Sequence, residues 1–215
     1  MSFDAMLLTM SDGMIKTIQV FVLTLLGSLP LGMVIALLKR SRFRIVRAVT
    51  SAFISILRGT PLMLQLLVWY FGPYYLFGAN IGSWRFGALI LGFVLNYAAY
   101  FAEIYRGGIE SIPAGQYEAA EVLGYTRPQT FVRIVLPQVI KQIMPSVTNE
   151  IITLVKDTSL ASTLAFQETF SLAKQISASQ VSFAPFLIAG VFYFVASYVV
   201  EFVMGRIEKS MDYYK

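Results

Sequence analysis

The chain contains neither cysteine nor histidine among its 215 residues. The first absence excludes disulfides and thiolate metal centres. The second removes the commonest general base and the commonest metal ligand. Charge is scarce as well: 13% of the residues are Asp, Glu, Lys or Arg, where a soluble domain carries about 25%. No G-x-x-x-x-G-K-[ST] stretch occurs, so the chain brings no P-loop of its own.

What it has instead is apolar length. Hydrophobic residues make up 57% of the chain, in segments near 20 residues, each sufficient at ~1.5 Å per residue to cross ~30 Å of hydrocarbon. These segments recur as far as residue 204, so a cleaved signal peptide ahead of a polar mature domain does not describe the chain. The expected fold is an all-α polytopic membrane protein, one transmembrane domain over 1–215 with no internal repeat. Five spans are expected, at about 14–38, 48–71, 85–105, 139–164 and 183–204.

The basic residues set the orientation. Lys39, Arg40, Arg42, Arg44 and Arg47 follow the first span with no acid among them, and Arg206 and Lys209 follow the last. Lys/Arg-rich loops face the cytoplasm, which puts the N-terminus outside and the C-terminus inside. The net charge of +5 is then loop bias and not a nucleic-acid patch. Trp69, Tyr70, Tyr74, Tyr75 and Trp84 form an aromatic belt around a short outer loop. The stretch 166–180, with one acid and one base, is expected to be an outer loop, and Glu201 with Arg206 an interfacial pair.

Between the third and fourth spans, residues 107–137 form a polar interruption expected to be a cytoplasmic helix-turn-helix. Ser111 and Pro113 suit a helix start, and Gly124 suits the left-handed residue beyond a helix end. Thr126 and Gln129 have capping-box spacing, and Pro137 is expected to stop or bend the chain beyond it. Ala119 and Ala120 would leave a smooth face for another backbone.

Glu118-Ala119-Ala120, three residues, Gly124, nine residues, then Ile134-Val135-Leu136-Pro137 resembles the "EAA" signature of membrane subunits of bacterial ABC importers, without a departure. Arg58-Gly59-Thr60-Pro61-Leu62, the run from Ala102 to Ile109, and Lys156-Asp157-Thr158-Ser159-Leu160 resemble the polar-amino-acid permease branch. The resemblance implies a bacterial cytoplasmic-membrane translocation subunit that is not itself an enzyme. It binds no cofactor directly; ATP and Mg sit on two separate cytoplasmic ATPase subunits. It implies as further partners a second permease subunit in a homodimer, an extracytoplasmic substrate-binding protein and a small-molecule amino acid. The first short helix would dock in the ATPase and transmit its closure, with Glu118, Ala119, Ala120, Gly124, Arg127 and Pro137 as coupling residues.

Ionisable groups at bilayer depth normally face a cavity or a partner. Arg58 lies next to Gly59 and Pro61, which break a helix, and irregular backbone survives in a membrane only where it lines a cavity or is buried in protein. Asn96, Tyr100 and Glu103 share one helix face, as do Ser146, Glu150, Thr153 and Asp157. A zwitterion needs an anion for its ammonium, for which Glu150 and Asp157 are candidates. It needs a cation or free amides for its carboxylate, which Arg58 or the backbone near Thr60 could supply. The expected substrate-binding set is Arg58, Gly59, Thr60, Asn96, Tyr100, Glu103, Glu150, Thr153, Asp157 and Ser159, and its acids lean toward arginine, lysine or histidine. The competing reading pairs Arg58 with Glu103 and Lys156 with Asp157 as internal ties. Two other functions compete. An ion-coupled secondary transporter or channel leaves the docking loop unexplained, and an intramembrane enzyme would have to use Glu150 and Asp157 as its acid and base.

Overall fold

The computed structural model describes residues 2–211, and every regular element among them is helical. In chain order these are α1 (Phe3–Lys39), α2 (Arg44–Gly59), α3 (Leu62–Phe77), α4 (Arg85–Glu110), α5 (Ala114–Val122), α6 (Arg127–Thr130), α7 (Leu136–Asp157), α8 (Thr169–Gln180) and α9 (Ala184–Ser210). A π-helical turn, Phe131–Val135, joins α6 to α7, and a 3-10 helix, Thr158–Leu164, extends α7.

The bundle is built around α4, which packs against α1, α2, α3 and α7. Its core residues Leu89, Phe93, Ala98, Phe101 and Ala102 are fully buried. α1 runs parallel to it: Gly27 meets Val94, Gly32 meets Phe101, and Lys39 meets Glu103. α7 runs antiparallel, bringing Ile143 against Gly108 and Asp157 against Tyr97. A Cβ at Gly108 would overlap Ile143 Cγ2, with Val139 close behind, so glycine is what lets α4 and α7 approach here.

Among the described residues three helices, α1, α4 and α9, are long and apolar enough to cross a membrane alone, and the α2–α3 pair adds a fourth if counted together. α7 has the length, at 22 residues, but carries Lys141, Glu150, Lys156 and Asp157 on it, and its apolar character does not by itself mark a span. The expected second span is broken where Gly59 and Pro61 stand, and the axes of α2 and α3 differ by 111°. α1 begins well before the apolar onset at Met14, because Ser2 Oγ accepts the Ala5 N–H and the early acids Asp4 and Asp12 lie exposed on the helix surface.

The stretch 166–180, expected as an outer loop, contains helix α8. Glu168 caps its start, accepting the N–H of Phe170 at 2.6 Å and of Ser171 at 2.7 Å. Thr169 bonds to Thr17 of α1 at 3.2 Å, and Met6, Met10, Ala173, Ile176 and Ala189 form a second small core joining α1, α8 and α9. The expected Glu201–Arg206 pair does not form; Arg206 lies over the Phe202 ring at 4.9 Å.

Candidate functional site

The break between α2 and α3 is closed by two amides. Gln65 Nε2 donates to Leu57 O at 2.8 Å and to Thr60 O at 3.1 Å. Asn96 Nδ2 donates to Leu57 O at 3.1 Å and to Gln65 Oε1 at 3.0 Å. These carbonyls lose their helical partners at the break, and buried they would be costly without donors. Asn96 is buried and its amide is spent on this repair. Gln65, which completes it, is absent from the expected set. A polar side chain just past a Gly-Thr-Pro break is the signal for it.

The repaired break presents Arg58, Gly59 and Thr60 outward; all three are exposed. The Arg58 guanidinium lies over the Tyr100 ring at 5.1 Å, a cation–π arrangement that holds the charge without an ion pair. Facing them on α7, Glu150 and Asp157 are half-buried and Thr153 is exposed. Glu150 feels Arg58 as its opposite charge and Asp157 as its like charge. Asp157 Oδ2 accepts the Tyr97 hydroxyl at 2.8 Å. The structure therefore brings Arg58, Tyr100, Glu150 and Asp157 together on one open polar face. Thr153 bonds to Asn149 O, and Ser159 to Lys156 O. Ser159 also lines a separate cavity with Lys156 and Tyr193.

Glu103 stands apart from that face. It bonds Lys39 Nζ at 2.7 Å and forms a close ion pair with Arg106, which also pairs with Glu110. The alternative pairing of Glu103 with Arg58 is thus corrected; Asp157 takes a hydrogen bond from Tyr97 and also feels the positive charge of neighbouring Lys156, without a close ion pair between them. Glu103 also borders a cavity of about 260 Å³ with Gly107, Gly108, Gln142 and Ser146.

The residues beyond α4 form the expected pair of short helices, with corrections. Ser111 ends α4, its hydroxyl donating to Gly108 O, and does not start α5. α5 closes in a Schellman motif: Tyr125 N–H reaches Ala120 O at 3.0 Å, and Gly124 N–H reaches Glu121 O at 2.9 Å. Gly124 has φ +77°, the left-handed conformation that glycine adopts freely. Gln129 Oε1 accepts the Thr126 N–H at 2.9 Å, as a capping box requires.

Ala120 is buried against the protein's own helices, so the outer face of α5 offers Ala119 but not Ala120. That face also exposes Glu118 and Glu121, with Val122 87% and Leu123 72% accessible beside them. Pro137 does not stop the chain. Leu136 N–H reaches back five residues to Phe131 O, and Pro137, with no N–H to offer, sits in the first turn of α7. The π turn absorbs the register change, and the helix runs on from Arg127 to Asp157.

Glu168 lies outside the expected set. It is fully buried, and besides capping α8 it accepts the Tyr193 hydroxyl at 2.7 Å. Burial pushes its carboxyl above the usual range, against the pull of those three hydrogen bonds.

Residues 28–213 match the family model described as "Binding-protein-dependent transport system inner membrane component". The chain is 35% identical over 208 residues to the L-cystine transport system permease protein TcyB of Bacillus subtilis (strain 168), covering 95% of this chain and 87% of the relative. It is 35% identical over 201 residues to the arginine transport system permease protein ArtQ of the same organism, covering 93% and 91%. Against the putative glutamine transport system permease protein GlnP of Rickettsia bellii (strain RML369-C) it is 33% identical over 210 residues, covering 97% and 95%. Among solved structures, an amino acid ABC transporter crystallised with histidines superposes with a TM-score of 0.88 at 32% identity, covering 98% of this chain and 99% of that one. An inward-facing MetNI methionine ABC transporter shares the fold, with a TM-score of 0.74 at 20% identity and coverage of 98% and 99%.

Proposed function

The chain belongs to the binding-protein-dependent transport system inner membrane components, and we propose that it serves there as the translocating half of a dimeric importer for cationic amino acids. It is a permease subunit of a bacterial ABC amino-acid importer, multi-pass in the inner membrane. ATP hydrolysis belongs to a separate subunit, and delivery belongs to a substrate-binding component. Nothing favours the ion-coupled transporter or the intramembrane enzyme.

The observation that carries the finer reading is the face formed by Arg58, Tyr100, Glu150 and Asp157. An amino acid with a basic side chain brings two cations and one carboxylate. The face offers two acids and one guanidinium held over an aromatic ring without an ion pair, with Lys156 beside Asp157 at its edge. Arg58 takes the carboxylate, while Glu150 and Asp157 take the ammonium and the basic side chain. Asn96 and Gln65 hold the broken helix that presents Arg58.

The openness of this face calls for a second copy. Ser146, Asn149, Thr153 and Lys156 are exposed along α7, at a depth where lipid cannot solvate them. A two-fold partner would enclose them around a common aqueous path. The reading keeps α7 as a crossing in that assembly, with five crossings in all, the N-terminus outside and the C-terminus inside. α5, through Glu118, Ala119, Val122 and Leu123, docks on the ATPase, with Gly124, Arg127 and Pro137 shaping the connection.

Uptake of labelled arginine, lysine, histidine, glutamine and cystine into proteoliposomes holding the complex and its binding protein tests the substrate class. Arginine or lysine should be carried best. Transport of glutamine or cystine in their place would overturn the cationic reading and leave the family untouched.

A further inference from the structure

Where α5 leaves the bundle, α1, α2 and α4 surround a cavity of about 380 Å³ lined by Lys39, Arg44, Arg47, Ser51, Arg106 and Glu110. Two of these cations are already engaged: Lys39 and Arg106 both bind Glu103, and Arg106 binds Glu110 as well. Arg44 and Arg47 form no ion pair among the described residues. Four cations set against Glu103 and Glu110 leave two positive charges in excess, and they reside on these two arginines. The transport face lies elsewhere and uses neither.

We propose that this cavity seats the phosphate of an anionic phospholipid from the surrounding leaflet. The guanidinium fork matches phosphate oxygens two at a time, and basic pockets between membrane helices suit such headgroups. The neighbouring surface distinguishes a lipid from a soluble anion. The last turn of α1 exposes Leu37 and Leu38, and the first turns of α2 expose Ile45 and Val49. Acyl chains attached to a phosphate held by Arg44 and Arg47 have apolar surface to lie along; a free phosphate would leave it bare. A bound lipid would also stand next to the Lys39–Glu103–Arg106 ties that fasten α1 to α4, so its occupancy should register as stability of the bundle.

The test uses the permease with its ATPase in phosphatidylcholine nanodiscs, with phosphatidylglycerol titrated in and thermal stability and native mass spectrometry as readouts. Wild type should gain stability and retain phosphatidylglycerol. Arg44→Gln/Arg47→Gln should lower the apparent lipid affinity roughly thirtyfold. Arg40→Gln/Arg42→Gln removes the same charge outside the cavity and should lower it clearly less, because it weakens the general attraction to anionic lipid but leaves the guanidinium forks at the phosphate in place. Should the double glutamine variant fail to assemble, Arg44→Lys/Arg47→Lys keeps the charge yet loses the bidentate fork, and should weaken binding several-fold. Equal losses in the Arg40/Arg42 and Arg44/Arg47 variants, or no loss in the lysine variant, would overturn the site. Equal protection by glycerol phosphate in pure phosphatidylcholine would assign the cavity to a soluble phosphate and overturn the lipid.

Discussion

Tyr97, in the middle of α4, donates its hydroxyl to Asp157 Oδ2 at the very end of α7, 2.8 Å away. The bond orients one acid of the proposed transport face from behind, through a ring that is itself buried. Tyr97→Phe removes the donor and keeps the ring. A hydrogen bond to a charged group contributes about 1.5–3 kcal/mol, and Asp157 is only half-buried, so the lower end applies. Thermal stability should fall by about 1.5 kcal/mol, and the KM for uptake in proteoliposomes should rise because Asp157 loses its orienting partner.

Glu150→Gln removes a charge and leaves the shape. Loss of a charge-assisted contact to a cationic substrate should weaken binding by about 1.5–3 kcal/mol, or roughly ten- to a hundredfold in KM. Basal ATP hydrolysis should be unchanged. Unaltered apparent affinity for every amino acid tested would remove Glu150 from the pathway.

Gly124 is held at φ +77° with open space around it, so its constraint is in the backbone alone. Valine there would cost about 1–2 kcal/mol in the left-handed conformation, and the Schellman closure of α5 would loosen. Membrane levels of Gly124→Val should match wild type while substrate-stimulated ATP hydrolysis is lost. Normal stimulation in reconstituted vesicles would show that α5 tolerates the change and would count against its coupling role.

Gly108→Ala should separate α4 from α7 and lower stability by about 1–3 kcal/mol, as overpacking does. The added methyl would strike Ile143 Cγ2, so Ile143→Ala should restore part of the loss. Thermal unfolding of the single and double variants measures both.

Glu168 gives the pH signature. Its carboxyl is raised in the folded protein, so its contribution is full below the ordinary glutamate value, ~4.3, and declines as pH climbs through the folded value. Wild type should therefore lose thermal stability with rising pH just above that range, and Glu168→Gln should show a shallower slope. Parallel curves for the two proteins would contradict the assignment.

The parts legible in the chain were those dictated by backbone chemistry or local spacing. Gly59 and Pro61 mark the broken helix, Gly124 the left-handed turn, and Thr126 with Gln129 the second helix start; each acts within four residues of itself. What stayed hidden depends on distant partners. Leu57 O is closed by Asn96, 39 residues on, so a residue with the look of a ligand in fact repairs a helix break. Glu103 meets Lys39 across 64 residues, and periodicity on one helix cannot choose that partner over Arg58. α8 is short and polar, and its support comes from a buried cap and from Thr17, 152 residues away. Pro137 misleads for the opposite reason: a proline ordinarily ends a helix, but a five-residue reach at Phe131–Leu136 gives it a place in the next one.

That uninterrupted path from Arg127 to Asp157 gives the subunit a lever arm. Were the π turn to serve as its fulcrum, the 22 residues of α7, with Pro145 among them, would extend about 33 Å beyond it. A tilt of about 10° there would swing Asp157 through about 6 Å at that helical rise. Such a stroke would be longer than the hydrogen bond that Asp157 makes with Tyr97, so a small rotation beside α5 would be enough to release it.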